Sequence, residues 1–408
     1  MRLSNNIMYQ NNLDKILDNQ QKVAIAQEKV STQTRILTPS DDPAASAQAL
    51  LFSERININE QFQKNNSYLT SKLKTEESVL QNIKTSLQRG YQLTVQAGNG
   101  ALTEQDRATI AEEMKSIQAT LYDLMNSKSE DGKFIFSGFQ DNVQTYSYNG
   151  ATGSYDYQGD QGNHEMQLAV GITLRSSDNG IDAFEKVDAR LNVNTNTPTV
   201  GGGITAGSVI VKEQAQFDAY HKANYDPLVP ANNDLQVTVT AGAPDTYAIT
   251  LGGTPVASGN YNGEAINFQG MEIDLSGAAP GTADFSLAPP EKKNMLNTLE
   301  ELITGLTTPG LSNDAYREFL ADGITGLTNA QNQISITQAN LGGRLKVAER
   351  LLDSTTDINI NHKESKANLI ELDMAAAISE LTKEETALQA SQATFGRLTQ
   401  LSLFDYIR

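Results

Sequence analysis

The chain has 408 residues, 31 Lys+Arg against 49 Asp+Glu, and a formal net charge of −18; it has no cysteine, no tryptophan and three histidines, His164, His221 and His362. Without cysteine there are no disulfides, thiolate metal sites or cysteine nucleophiles, and the acidity speaks against binding nucleic acid or an anionic membrane surface. No stretch approaches the roughly 18 apolar residues of a membrane-spanning helix, and Met1–Gln10 lacks the apolar core and cleavage site of a secretory signal, which leaves a cytoplasmic protein or one exported without a cleaved signal.

Composition divides the chain into helical flanks and a different middle. Residues 141–290 hold 18 of the 30 glycines, 8 of the 11 prolines, and 17 acidic residues against five basic ones. In the first flank Ile16, Val23, Val30 and Leu37 fall seven apart. A sustained seven-residue repeat gives a narrow apolar stripe suited to coiled-coil packing. Thr38-Pro39-Ser40-Asp41-Asp42-Pro43 then interrupts the pattern. Asp42 suits an N-cap and Pro43 the first helical position, so a second helix starts there. It continues through Leu69, Leu73, Leu80, Ile83 and Leu87 until Gly98-Asn99-Gly100. A third helix is predicted over about 103–128, with Thr103 as cap and Asp106 in its first turn.

The middle reads as strands. Leu235, Val237 and Val239 alternate, as do Tyr247, Ile249 and Leu251, which places each trio on one face of a sheet. Asn149-Gly150, Asp178-Asn179-Gly180 and Asn262-Gly263 are expected as hairpin turns, and Thr195 to Gly203 as a flexible loop. In the second flank Ile334, Leu341, Leu345, Ala348 and Leu352 form a stripe that contains Gly342-Gly343, expected as a kink or a close helix approach. Met374, Leu381, Leu388 and Phe395 again fall seven apart. Two ends of similar length, each with a sustained stripe, cover one another by pairing.

No residue pattern points to catalysis. Asp41-Asp42 lacks a neighbouring histidine or third acid and reads as a solvated turn with a helix cap rather than a metal or acid–base site. The histidines have no ligand spacing, and Gly201-Gly202-Gly203 has no Lys-Ser/Thr after it to make a phosphate loop. Neither an enzyme nor a cofactor is expected.

Three segments in order carry a family resemblance. Leu37-Thr38-Pro39-Ser40-Asp41-Asp42-Pro43-Ala44-Ala45, the helix that follows Asp106-Arg107, and Leu388-Gln389-Ala390-Ser391-Gln392 resemble bacterial flagellins and their junction proteins. Gly132-Lys133-Phe134-Ile135-Phe136-Ser137-Gly138-Phe139 and the tail Leu401-Ser402-Leu403-Phe404-Asp405-Tyr406 resemble the hook–filament junction branch of that flagellin-like family. The resemblance implies an α+β fold, a helical stalk of paired long terminal helices with a central β-rich insert. The expected divisions are a terminal assembly helix at 1–40, stalk at 41–140, the acidic outer domain at 141–290, stalk at 291–364, and a second terminal assembly helix at 365–408. Residues 1–40 and 365–408 are expected to be disordered in the monomer and to fold on assembly.

The resemblance further implies a structural part of the flagellum, secreted by type III export and self-associating in a ring-like axial assembly. Its neighbours would be another hook-associated protein and flagellin. The expected subunit interface is Ile16, Val23, Val30, Leu37, Met374, Leu381, Leu388 and Phe395. A cytosolic export chaperone would mask Leu381, Leu388, Phe395, Leu401 and Phe404. A divergent flagellin and a secreted adhesin-type module stay open as alternatives.

Overall fold

A computed structural model describes the backbone of residues 2–406 and the side chains of residues 7–397. Three helices come first: α1 (Arg2–Thr32), α2 (Pro43–Ala97) and α3 (Glu104–Met125). Two hairpins follow, β1 (Tyr146–Asn149) with β2 (Ser154–Tyr157) and β3 (Glu165–Ala169) with β4 (Ile172–Arg175). Then come β5 (Thr199–Val211), α4 (Gln214–Asn224), β6 (Asp234–Thr240), β7 (Asp245–Leu251), β8 (Thr254–Tyr261), β9 (Ile266–Phe268) and β10 (Met271–Ser286). The chain closes with α5 (Met295–Thr307), α6 (Asn313–Ile370) and α7 (Met374–Tyr406). The fold is α+β, with long helices at both ends and the strands in the middle. It divides into two compact units, one of Met1–Tyr68, Gln167–Ile172 and Ala348–Arg408, the other of Leu69–Met166 and Thr173–Val347.

Helix ends follow their local chemistry. Asp42 Oδ1 accepts the Ala45 N–H at 3.0 Å, so Asp42 caps α2 with Pro43 behind it. The Thr103 side chain accepts the Asp106 N–H at 3.2 Å while Asp106 Oδ2 accepts the Thr103 N–H at 3.0 Å, a complete capping box for α3.

In the second unit, Leu69, Leu73, Leu80, Ile83 and Leu87 of α2 are fully buried, four, seven, three and four residues apart along one face. Each such side chain contributes roughly 1.5–3 kcal/mol relative to exposure. The facing stripe on α6 is Leu327, Ala330, Ile334 and Leu341, and α6 runs antiparallel to α2, since Gln338 reaches Gln81 and the Tyr316 hydroxyl reaches Ala97 O. The glycines that matter on α6 differ from those the sequence singles out. Gly342 and Gly343 lie inside an unbroken helix, and a Cβ on either would meet nothing within 4 Å. At Gly323 an added Cβ would come 2.3 Å from the Leu302 side chain, so α5 seats a leucine in a hole that only glycine provides.

The β region forms a six-stranded antiparallel sheet, ordered β5-β10-β6-β7-β8, with β9 also on β10. The two expected trios face each other across one pair of strands: Leu235 opposite Leu251, Val237 opposite Ile249, Val239 opposite Tyr247. Helix α4, absent from the strand reading, covers this core with Phe217 and His221, four apart on one face.

Three expectations are corrected here. Gly201-Gly202-Gly203 is no loop but the start of β5, and a Cβ on Gly203 would stand 2.1 Å from Ala278 O. Strand β10 approaches too closely for any side chain, and that selects the glycines. Asp178-Asn179-Gly180 is not a hairpin tip: all three residues are buried, and Asn179 Oδ1 accepts the Asp182 N–H at the entry to the single turn Ile181–Glu185. The Asn149-Gly150 turn joins the β1–β2 hairpin as expected, whereas Asn262-Gly263 follows β8 without closing a hairpin, because β8 pairs with β7 and β9 with β10.

The Gly132–Phe139 motif is an aromatic clasp. Lys128 Nζ sits 4.5 Å from the Phe134 ring centre, and buried Phe136 meets Phe184 edge to face at 4.8 Å. Gly138 turns the chain at φ 72° against Asp160, whose carboxylate accepts the Phe139 and Gly162 N–H groups.

Candidate assembly surfaces at the chain ends

The end helices lie in the first unit and run antiparallel, with Tyr9 and Phe395 at one level and Asn19 and Ser391 at another. Along α1 the half-buried residues include Asn12, Ile16, Asn19, Val23, Ala26 and Val30, which alternate four and three apart, with Lys29 beside the last of them. Along α7 they include Ala377, Leu381, Glu384, Leu388, Ser391 and Phe395, with the same alternation. This is the seam of a two-stranded coiled coil. The Tyr9 and Phe395 ring centres are 4.9 Å apart. Asn19 Nδ2 donates to Ser391 Oγ at 3.0 Å and lies 3.5 Å from Ala387 O.

Ile16, Val23 and Val30 therefore share one seam with Leu381, Leu388 and Phe395. Met374 stands at the first residue of α7 and is 36% exposed. Leu37 does not lie on the α1 stripe, because the helix ends at Thr32 and Gln33 takes φ 56°. The side chains of Leu401 and Phe404 lie outside the described residues.

The seam is only half closed. Among the described side chains, none before Ala45 and none after Asn359 is fully buried. Outside the seam, Ile7, Leu13, Leu17 (53%), Ile25 and Ile378 (52%) remain exposed. On α2, Leu51 and Ile58, seven apart, are exposed as well.

Both end helices break at one level, and the breaks are stapled together. Thr34 pairs antiparallel with Glu371, Arg35 N donates to Ile370 O at 2.8 Å, and Leu372 N donates to Gln33 O at 3.2 Å. Arg35 Nη2 reaches Leu369 O at 2.8 Å and Asp42 Oδ2 at 3.3 Å. The terminal helix thus starts at Met374, nine residues later than the boundary at 365 taken from sequence.

Asp41 and Asp42 belong to this staple. Asp41 Oδ2 accepts the Thr38 and Leu37 N–H groups at 2.9 and 3.0 Å, and these bonds hold its carboxyl below the ordinary value. The Ala45 N–H, then Arg35, does the same for Asp42. Among the described residues no group of three or more His, Asp or Glu could hold a metal ion. His221 stacks on Tyr225 and bonds Ala288 O at 2.7 Å, and His362 lies against Phe52.

Sequence reading missed Asn12, Asn19 and Ser391. Their signal is present: Asn12, Asn19 and Ala26 also fall seven apart, offset by four from the apolar series.

Residues 3–141 match the bacterial flagellin N-terminal helical region. Over the whole of both chains, the protein is 26% identical to flagellar hook-associated protein 3 of Salmonella typhimurium, and 24% identical to that of Escherichia coli over 99% of each. Flagellin of Salmonella enteritidis is 25% identical over 89% of this chain and 73% of its own. A crystal structure of hook-associated protein 3 from Legionella pneumophila superimposes with a TM-score of 0.59 at 26% identity, covering 78% of this chain and 98% of that one. The chain is similar to the flagellin-like family, over residues 3–141 by the family model and end to end by these relatives. The helical ends and strand-rich middle are those of the family fold, and the chain has a structural role in the bacterial flagellum.

Proposed function

We propose that this chain is the adaptor that joins flagellar hook to filament, its end helices packing against like subunits, a neighbouring hook-associated protein on one side and flagellin on the other. One observation carries the reading: a long helical pair whose described side chains bury no residue completely and leave large apolar groups on the outside. Leucines and isoleucines half in water are poorly satisfied in a free monomer, and neighbouring subunits supply the missing cover. The end-to-end match to hook-associated protein 3, against partial coverage of flagellins, favours a junction protein over a filament subunit.

The half-closed pairing of the ends is completed on assembly, which defers part of their ordering entropy to that step and suits passage through a narrow export channel. Before export, a cytosolic chaperone masks the α7 face of Leu381, Leu388 and Phe395 together with Leu401 and Phe404. The test is deletion of the gene followed by electron microscopy. Hooks without filaments, with flagellin lost to the medium, are the expected result; normal filaments overturn the proposal. Purified chain that grows long filaments alone would make it a flagellin instead. Loss of motility on removing residues 141–290 would move the function to the β region.

A further inference from the structure

Glu76 is the charged residue within the α2 stripe, spaced between Leu73 and Leu80, and it is completely buried. Its Oε1 accepts the Asp178 N–H at 3.1 Å, while Oε2 has no hydrogen-bond partner and no access to solvent. Asp178 is buried as well, and its carboxylate takes Nη2 of Arg344 from α6. Arg344 Nη1 also reaches Arg175 O at 3.4 Å. One guanidinium thus pairs with Asp178, while the fully buried Glu76 carboxyl beside it has no cation bonded to it.

The residues between are a strap, 176–180, leading from β4 to the turn Ile181–Glu185. Its ends are held by backbone bonds, Ser176 N to His164 O at 2.8 Å and Gly180 N to Phe136 O at 2.7 Å. Its middle is held by Glu76 and Arg344. The charged groups facing Glu76 are Asp178 from the strap and Arg344 from α6. On its own helix Lys74 and Glu77 are exposed, and Lys72 pairs with Asp131 at 3.9 Å. In the strap region Asp182 is engaged by Lys186, and Asp160 by the Phe139 and Gly162 amides.

A second ionised carboxylate here has no compensating charge, because Asp178 already occupies Arg344. The neutral acid avoids that conflict and keeps its bond from the Asp178 N–H. Burial, then the Asp178 carboxylate, pushes the Glu76 carboxyl well above its usual range.

We propose that Glu76, Asp178 and Arg344 form a proton-controlled latch: a proton on Glu76 keeps the 176–180 strap closed on α2 and α6, and its release to solvent base opens the strap. The latch is closed in acid and opens as the solution becomes alkaline. Beyond the strap, Ala183 and Phe184 are buried, with Phe184 against Phe136 and Tyr146, so opening loosens the packing of that turn.

The test uses the full chain. Amide exchange at Asp178, expressed as a protection factor to remove the intrinsic pH dependence, is followed from pH 5 to pH 9. Protection should fall at least tenfold in the wild type and stay level in Glu76→Gln, which keeps the acceptor without the titration. No fall in the wild type, or an equal fall in both proteins, overturns the latch. Should Glu76→Gln fail to fold, carboxyl-carbon resonances of the wild type decide: Glu76 titrating at or below an ordinary glutamate overturns it, and titrating above supports it. Asp178→Asn, which frees Arg344 to pair with Glu76, should move that midpoint down.

Discussion

Asn19 donates its side-chain amide to the Ser391 hydroxyl at 3.0 Å, across 372 residues of sequence and within the seam of α1 and α7. A polar pair at such a position fixes the register of two helices at some cost in stability. The cysteine-free chain makes this register directly measurable. Asn19→Cys combined with Ser391→Cys should form an intramolecular disulfide on mild oxidation, seen as faster migration in non-reducing gels and reversed by reductant. Exclusively intermolecular products would show that the two ends do not pair within one chain.

The glycines of α6 should respond to the same substitution with opposite signs. Gly342→Ala adds a methyl in open space and gains helix propensity, about 1 kcal/mol of stabilisation. Gly323→Ala gains the same propensity but drives a Cβ to 2.3 Å from Leu302, and overpacking of this kind costs about 1–3 kcal/mol. Chemical denaturation of the two variants should therefore move the midpoint in opposite directions.

These glycines also mark how far the sequence could be read. Stripes at seven-residue spacing, the Asp42 and Thr103 caps, and the alternating trios of β6 and β7 are local signals, and each appears in the fold as expected. What stayed hidden depends on a partner far away in sequence. Gly203 looks flexible until β10 lies against it, and Gly323 is unremarkable until Leu302 needs room. The Thr34–Glu371 staple joins residues that no periodicity connects, so the ends of α1 and α7 could be placed only roughly. Leu37 kept the spacing of the stripe although the backbone had already left the helix.

A buried ion pair anchors the β region to α6. The Arg190 guanidinium is 2% exposed, donates to Glu318 Oε2 at 2.7 Å and Asp322 Oδ1 at 3.1 Å, and reaches Val211 O at 3.1 Å. Removing Glu318 leaves the buried Arg190 with only the half-exposed Asp322 as counter-charge, so Glu318→Leu should cost about 3 kcal/mol. Arg190→Met should cost a similar amount, and the double variant much less than their sum. Urea unfolding of the four proteins gives the coupling, and strict additivity would show that the pair is not desolvated.

The Asp41–Asp42 turn should weaken in acid. Both carboxyls are held below their ordinary value of 3.8, Asp41 by the Thr38 and Leu37 N–H groups and Asp42 chiefly by the Ala45 N–H. A lowered folded value means the stabilisation is fully present above the unfolded value and is lost as pH falls through the folded one. Protection of the Leu37, Thr38 and Ala45 amides, corrected for intrinsic exchange, should be constant from pH 7 to about pH 5 and decline below about pH 4. In Asp41→Asn the decline at Leu37 and Thr38 should disappear, while that at Ala45 persists.

The most informative substitutions separate the surface used inside the monomer from the surface left for neighbours. Val23 and Leu388 lie in the half-buried seam, whereas Leu17 and Ile378 point away from it and are more than half exposed. A charge at Val23 must be desolvated for α1 and α7 to pair, so Val23→Asp should reduce the helix content of the isolated chain by circular dichroism and abolish motility in cells. Leu17→Asp and Ile378→Asp place their charges where the monomer already meets water, and the isolated chain should keep its spectrum and melting profile. If neighbouring subunits cover that outer face, the same two variants should still lose filaments in cells while being exported normally, since only assembly desolvates their carboxylates. Wild-type motility from Leu17→Asp together with Ile378→Asp would mean that the exposed apolar groups of the end helices are not an assembly surface.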